Sequence, residues 1–154
     1  MGCGRGAVLI LAAHRLPGGQ AWGPIFGGGG IRAAIAGMPP CATRCRRVRD
    51  RVDLTDADAR DLPFPAASFD VVVSNLTIHN IKEDAGRKQA LHEAVRVLRP
   101  GGSLRIVDVR ADQYAEALRD AGCADITVRP LDWRTSFGIP GHHLNLVAAN
   151  KPAG

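Results

Sequence analysis

The feature that most limits what this chain can fold into is an unbroken run of three β-branched residues, Val71-Val72-Val73, closed by the polar pair Ser74-Asn75. A strand that covers one side of a sheet alternates apolar and polar residues. A continuous β-branched run instead predicts a strand buried on both faces, as in a parallel sheet with helices on each side. Upstream, Leu62-Pro63-Phe64-Pro65 is a rigid connection, because its two prolines fix φ and exclude helix. Before it, Val52-Asp53-Leu54 reads as a shorter strand followed by Asp58-Ala59. Ligands of open α/β sheets sit at the carboxyl ends of strands, which brings Asn75 to such a position. Asn75 then either lines a pocket or satisfies its own backbone as a turn residue.

The pattern downstream is regular. Asp84 is placed to cap a helix over residues 85–98, in which Leu91, Val95 and Leu98 fall at i, i+4 and i+7. Pro100-Gly101-Gly102 ends it. Residues 104–109 read as a strand, Asp112 caps a helix over 113–121, and residues 125–131 and 144–149 make two closing strands. At the other end, Gly2, Gly4 and Gly6 form a glycine-rich turn that runs directly into the helix-forming segment AVLILAAHRL, stopped by Pro17-Gly18-Gly19. Such a turn lets a ligand approach the backbone and aims free N–H groups at negative charge.

With 154 residues and 45% apolar composition, one domain with its own core is expected. The net charge of +5 suggests an anionic partner. The excess is concentrated in Arg44, Arg46, Arg47, Arg49 and Arg51, where no aromatic residues are interleaved, so a nucleic-acid surface is not expected. Cys3, Cys41, Cys45 and Cys123 match no metal spacing and no disulfide framework. Cys41 and Cys45 with His142 and His143 do not have the spacing of zinc modules. A reduced, cytoplasmic protein without a metal is the expectation. No apolar run approaches the ~20 residues of a membrane span. Residues 7–13 lack the flanks of a signal sequence.

The run from Leu62 to Asn75, the glycine turn, and the phrase EAVRVLRPGGSLRIVDV together resemble the class I S-adenosylmethionine-dependent methyltransferases, in the small-molecule branch that includes quinone-biosynthesis enzymes. The resemblance covers residues 2–16 and 50–152. It implies an α/β, Rossmann-like, mostly parallel sheet with flanking helices and an antiparallel last strand. It also implies S-adenosylmethionine as cofactor, with Gly2, Gly4 and Gly6 around its amino-acid end, Asp58 and Ala59 beside the adenine, and Asn75 near the methyl group. The acceptor it implies is a small molecule. His79, just past Asn75, is either a general base for that acceptor or a loop histidine bonded to backbone. Trp133, Phe137, His142 and His143 fall around the last hairpin, where this fold often shapes the acceptor pocket, though each also suits a core or loop role.

Two departures from the family stand out. Its first strand, with an acidic residue before the glycine turn, has no counterpart here, which reads as truncation at the N-terminus. Residues 20–48 hold no acidic residue, four consecutive glycines and no helical or strand period. The family would place there a strand ending in a carboxylate for the ribose. Back-translating residues 21–39 and regrouping the bases one position earlier permits VG-x-DLWRRRDQSGN, with an Asp at the end of a strand-like VGxDL. The segment is therefore either translated out of frame or a genuine glycine-rich loop, and it is expected to be irregular. A defective methyltransferase-like fragment with weak cofactor binding is the alternative to an active enzyme. A dinucleotide-binding oxidoreductase would need G-x-G-x-x-G and an acidic residue about twenty positions on, and has neither.

Overall fold

In the computed structural model the described residues are 7–16, 18–25, 51–132 and 144–154, and they divide into two compact units, residues 2–58 and 59–154. In the first unit, helix α1 (Ala7–Arg15) precedes strands β1 (Ala21–Ile25) and β2 (Val52–Asp56), which pair in parallel from Ala21↔Val52 to Ile25↔Asp56. Leu9 and Ala13, one helical turn apart, pack with Ala21 and Val52. Arg15 places positive charge in the last turn of α1, where the helix dipole favours it. Arg51 reaches back to donate to the carbonyl of Leu16. Strand β1 corrects the expectation that residues 20–48 are irregular throughout. Its sequence is poor in β formers, so pairing with β2 supplies the order that local propensity does not. Pro24, which has no N–H to donate, is tolerated in a strand that has one neighbour among the described residues. The rest of that stretch lies outside the described residues.

The second unit contains β3 (Phe69–Asn75), α2 (Asp84–Val97), β4 (Leu98–Asp108), α3 (Tyr114–Asp120), β5 (Ala124–Pro130) and β6 (Asn145–Asn150). Its sheet has the order β3-β4-β6-β5. Strands β3 and β4 are parallel, with α2 as the crossover, and β6 runs antiparallel to both β4 and β5. The last strand is thus antiparallel, as the resemblance implied, and the described pairings are parallel and antiparallel in equal number. The core is built from Val72 on β3, Leu104 and Ile106 on β4, Val147 and Ala149 on β6, and Leu91, Ala94 and Val95 on α2. The valine run is not buried on both faces as expected: Val72 is buried, but Val71 is 51% exposed. Among the described residues strand β3 is an outer strand of its sheet, and pairing shifts between Phe69 and Val71.

Local chemistry explains the boundaries. Helix α2 begins at Asp84, not after it, and neither it nor α3 carries a side-chain cap bond. Asp84 instead pairs with Arg87 inside the first turn. Asp112 does not cap a helix from residue 113 either, because it lies within a separate short turn, Ala111–Gln113, before α3. The chain passes from α2 into extended β4 without a loop, and Pro100-Gly101-Gly102 lies inside that strand. Gly101 has φ +76 and Gly102 is closely overlaid: an added Cβ would meet the Arg99 carbonyl oxygen at 2.8 Å and the Asp70 carbonyl oxygen at 3.1 Å. At the C-terminal end of α2, Lys151 Nζ donates to the carbonyls of Val95 (2.9 Å), which also accepts the Leu98 N–H, and of Leu98 (2.8 Å).

Candidate functional site

The carboxyl end of β3 is shaped by a sharp reversal. Leu76 adopts φ +49, a region costly for a residue with a branched side chain. Its N–H is held by the Val107 carbonyl at 2.8 Å, and Thr77 Oγ1 donates to the Asn75 carbonyl at 3.0 Å. The next residues form a short turn, Ile78–Asn80, pinned by Ile78, which is fully buried in the core. That anchor brings His79 against the end of β4.

There the partner is Asp108, the last residue of β4 and 0% exposed. Its Oδ1 accepts the Val109 N–H at 2.7 Å and its Oδ2 the His79 N–H at 3.3 Å. The His79 ring, 27% exposed, places Nδ1 2.8 Å from Asp108 Oδ1. The approach is that of an ion pair in distance, while Nδ1 is not aligned as a hydrogen-bond donor. Nearby, the Tyr114 hydroxyl is held well above its usual range, first by burial and then by the negative charge of Asp108. The phenol therefore stays protonated, and toward a carboxylate it can act only as donor.

The expected site residues divide. Asn75, the last residue of β3, is half-buried and shares this strand end with His79. Asp58, half-buried, lies two residues past β2 in the first unit, and Ala59, fully buried, opens the second. Gly2, Gly4 and Gly6 lie outside the described residues, as do Trp133, Phe137, His142 and His143. Asp108 was missed by sequence reasoning, although a signal was present. Leu104, Ile106 and Asp108 share one face of a strand by their period of two, so the carboxylate falls on the row that carries core residues. A buried carboxylate at a strand end demands a partner. Among the described residues no group of three or more His, Cys, Asp or Glu could hold a metal ion, and no helix is long and apolar enough to cross a membrane.

Comparison with known proteins bears on this arrangement. A family model described as "Methyltransferase domain" matches residues 1–106. The chain is 39% identical over 94 residues to 27-O-demethylrifamycin SV methyltransferase of Amycolatopsis mediterranei, covering 55% of this chain and 33% of that protein. It is 41% identical over 59 residues to the ubiquinone/menaquinone biosynthesis C-methyltransferase UbiE of Hahella chejuensis, covering 38% of this chain and 22% of that one. It thus spans a third or less of the length of these curated relatives. Among solved structures, the [4+2]-cyclase SpnF superposes with a TM-score of 0.75 at 23% identity, covering 99% of this chain and 73% of that one. Geranyl diphosphate C-methyltransferase of Streptomyces coelicolor superposes with a TM-score of 0.71 at 18% identity, covering 97% and 68%. These two likenesses show a shared Rossmann-like α/β fold, and the first shows that the fold also serves a protein named for cyclisation. The family match, which extends over more than half of the sequence, shows that the chain belongs to the methyltransferase-domain family.

Proposed function

We propose that this protein transfers a methyl group from S-adenosylmethionine to a small-molecule acceptor, with His79 as the base. The observation that carries the reading is the approach of His79 Nδ1 to the fully buried Asp108 carboxylate at the carboxyl end of the β3–β4 pair. The residues present suit the cofactor chemically. Asn75 ends a parallel strand, where ligands of α/β sheets bind, and offers an amide there, while Asp58 is assigned to the adenine only in the reading drawn from the family. Gly2, Gly4 and Gly6 supply the backbone turn for the amino-acid end, in the reading drawn from the family. When bound, the cofactor supplies a methyl group already activated on a sulfonium. The chain's own residues then orient and handle the proton. Asp108 holds the Nδ1–H tautomer of His79 and stabilises the imidazolium. His79 Nε2 accepts the proton of an acceptor hydroxyl, amine or acidic carbon as that atom bonds the methyl carbon. The protein's larger contribution is alignment and exclusion of water.

The names of the relatives, a rifamycin methyltransferase and a quinone C-methyltransferase, support an acceptor that is a small organic molecule. Titration calorimetry of S-adenosylhomocysteine into the whole chain tests the reading. Residues 20–48 offer no carboxylate for the ribose, so binding is expected in roughly the high-micromolar to millimolar range, given about 1.5–3 kcal/mol for each lost hydrogen bond to a charged group. Absence of saturable heat in that range would sink the proposal.

A further inference from the structure

Arg87, in the first turns of α2, is 8% exposed. A buried charge is tolerated only where it is paired and hydrogen-bonded, so its partners tell what it does. The ion pair with Asp84 does not account for it. Asp84 is 84% exposed, and a pair with so open a partner contributes little. The other partners are two consecutive backbone carbonyls: Arg87 Nη1 donates to that of Ile81 at 2.5 Å and to that of Lys82 at 2.8 Å. Hydrogen bonds from a charged donor are roughly twice as strong as neutral ones.

Those carbonyls belong to the segment that follows His79. On the near side of the histidine, Ile78 is fully buried in the core. On the far side, the Ile81 N–H closes the turn onto the Ile78 carbonyl at 3.0 Å. The Ile81 carbonyl, its other backbone polar group, goes to Arg87. The Ile81 side chain lies over Gly86, where an added Cβ would meet its Cγ2 at 2.9 Å. Two of these three contacts of Ile81 thus come from neighbouring residues of α2. Between the buried Ile78 and the held Ile81, the His79 N–H reaches Asp108 Oδ2 at 3.3 Å. That bond is long for an N–H donor, so it depends on the turn being held from both sides.

We propose that Arg87 is a positioning residue: by holding the carbonyls of Ile81 and Lys82 against α2 it fixes the turn that carries His79, and so keeps His79 beside Asp108. The inference rests on the reading of His79 as the base, and adds a residue that acts on it through the backbone alone. Helix α2 then has two tasks. Its Leu91, Ala94 and Val95 pack into the core, and its Arg87 sets where the histidine stands. A side chain with the same stem and no donors separates the two, because it leaves the packing and releases the turn.

The test is amide hydrogen exchange in the whole chain without ligand, followed residue by residue in 1H–15N spectra. The His79 amide reports the turn, and the amides of Leu104 and Ile106 report the core of β4. Arg87→Met should speed exchange at His79 about ten-fold relative to Leu104 and Ile106, the size of one hydrogen bond to a charged group. Arg87→Lys should bring the His79 rate back to within about three-fold of wild type, because one ammonium can hold two carbonyls, as Lys151 does at Val95 and Leu98. An unchanged His79 rate in Arg87→Met, an acceleration shared equally by Leu104 and Ile106, or no recovery in Arg87→Lys overturns the proposal. Should Arg87→Met not fold, Arg87→Gln takes its place under the same criteria, and loss of fold in both assigns Arg87 to folding alone and also overturns it. The readout needs no cofactor. An effect confined to His79 with no S-adenosylhomocysteine binding would remove the methyl-transfer reading and leave the Arg87–His79 coupling standing, while binding without that effect would do the reverse.

Discussion

Glu93 and Arg96, one turn apart on α2, form a paired clamp on the segment that leads into β3. Arg96 Nε and Nη2 donate to the two Glu93 carboxylate oxygens at 2.6 and 2.8 Å. The same guanidinium donates to the carbonyls of Phe64 (2.8 Å) and Leu62 (3.0 Å), while Glu93 accepts the Leu62 N–H at 2.9 Å. The Leu62-Pro63-Phe64-Pro65 connection is therefore rigid for two reasons. Its prolines restrict φ, and its backbone polar groups are bound to a helix.

The clamp predicts a pH dependence. The hydrogen bond from Arg96 holds the Glu93 carboxyl below the usual carboxylate range, against a smaller opposing effect of burial. A depressed folded-state value contributes stability that is present above the unfolded value, ordinarily near pH 4.3, and is lost as pH falls through the folded value. Glu93→Gln should lower stability at neutral pH by about 1 kcal/mol, with the partial exposure of Arg96 limiting the effect. The difference from wild type should shrink as pH falls below about 4. Urea unfolding at neutral and acid pH checks this. A constant difference across that range would contradict it.

Leu91 is 1% exposed and faces the sheet from the middle of α2. Leu91→Ala should cost about 2–5 kcal/mol through lost burial and the cavity left behind. Chemical denaturation of the two proteins gives the number. A cost under about 1 kcal/mol would mean that α2 packs more loosely than its burial indicates.

Gly102 tolerates no side chain, because a Cβ would overlap two backbone oxygens that belong to different strands. Gly102→Ala should destabilise by roughly 1–3 kcal/mol, since backbone atoms cannot swing aside as side-chain ends do. Thermal unfolding with an unchanged midpoint would refute the contact.

His79→Gln should lower methyl transfer by about 10²–10⁴-fold while leaving cofactor affinity within a few-fold of wild type, as expected for loss of a general base. Asp108→Asn should lower the rate while also altering its pH profile. The comparison uses single-turnover rates and calorimetry on the same preparations. Equal losses in affinity and rate would place His79 in cofactor binding instead.

The sequence by itself determined the type and order of the main strands and helices of residues 51–132, because periodicity acts over a few residues, but not their boundaries: Pro100-Gly101-Gly102 lies inside β4 and does not stop α2. The position of Asn75 at a strand end was legible from the same local periodicity, whereas the antiparallel last strand was implied by the family resemblance alone. Residues 21–25 were not: AWGPI has no strand-like pattern, and its order comes from pairing with residues 52–56, some thirty positions away. The exposure of Val71 likewise depends on which strand flanks β3, and three valines in a row cannot state it. At the site, His79 could be picked out as a candidate, but its partner could not. Asp108 lies twenty-nine residues further on, and only the parallel pairing of β3 with β4, the burial of Ile78 and the reversal at Leu76 bring the two side chains to 2.8 Å. Local patterns write the strands and helices. The distance between two functional groups is written by the register of strands that meet only after the chain has folded.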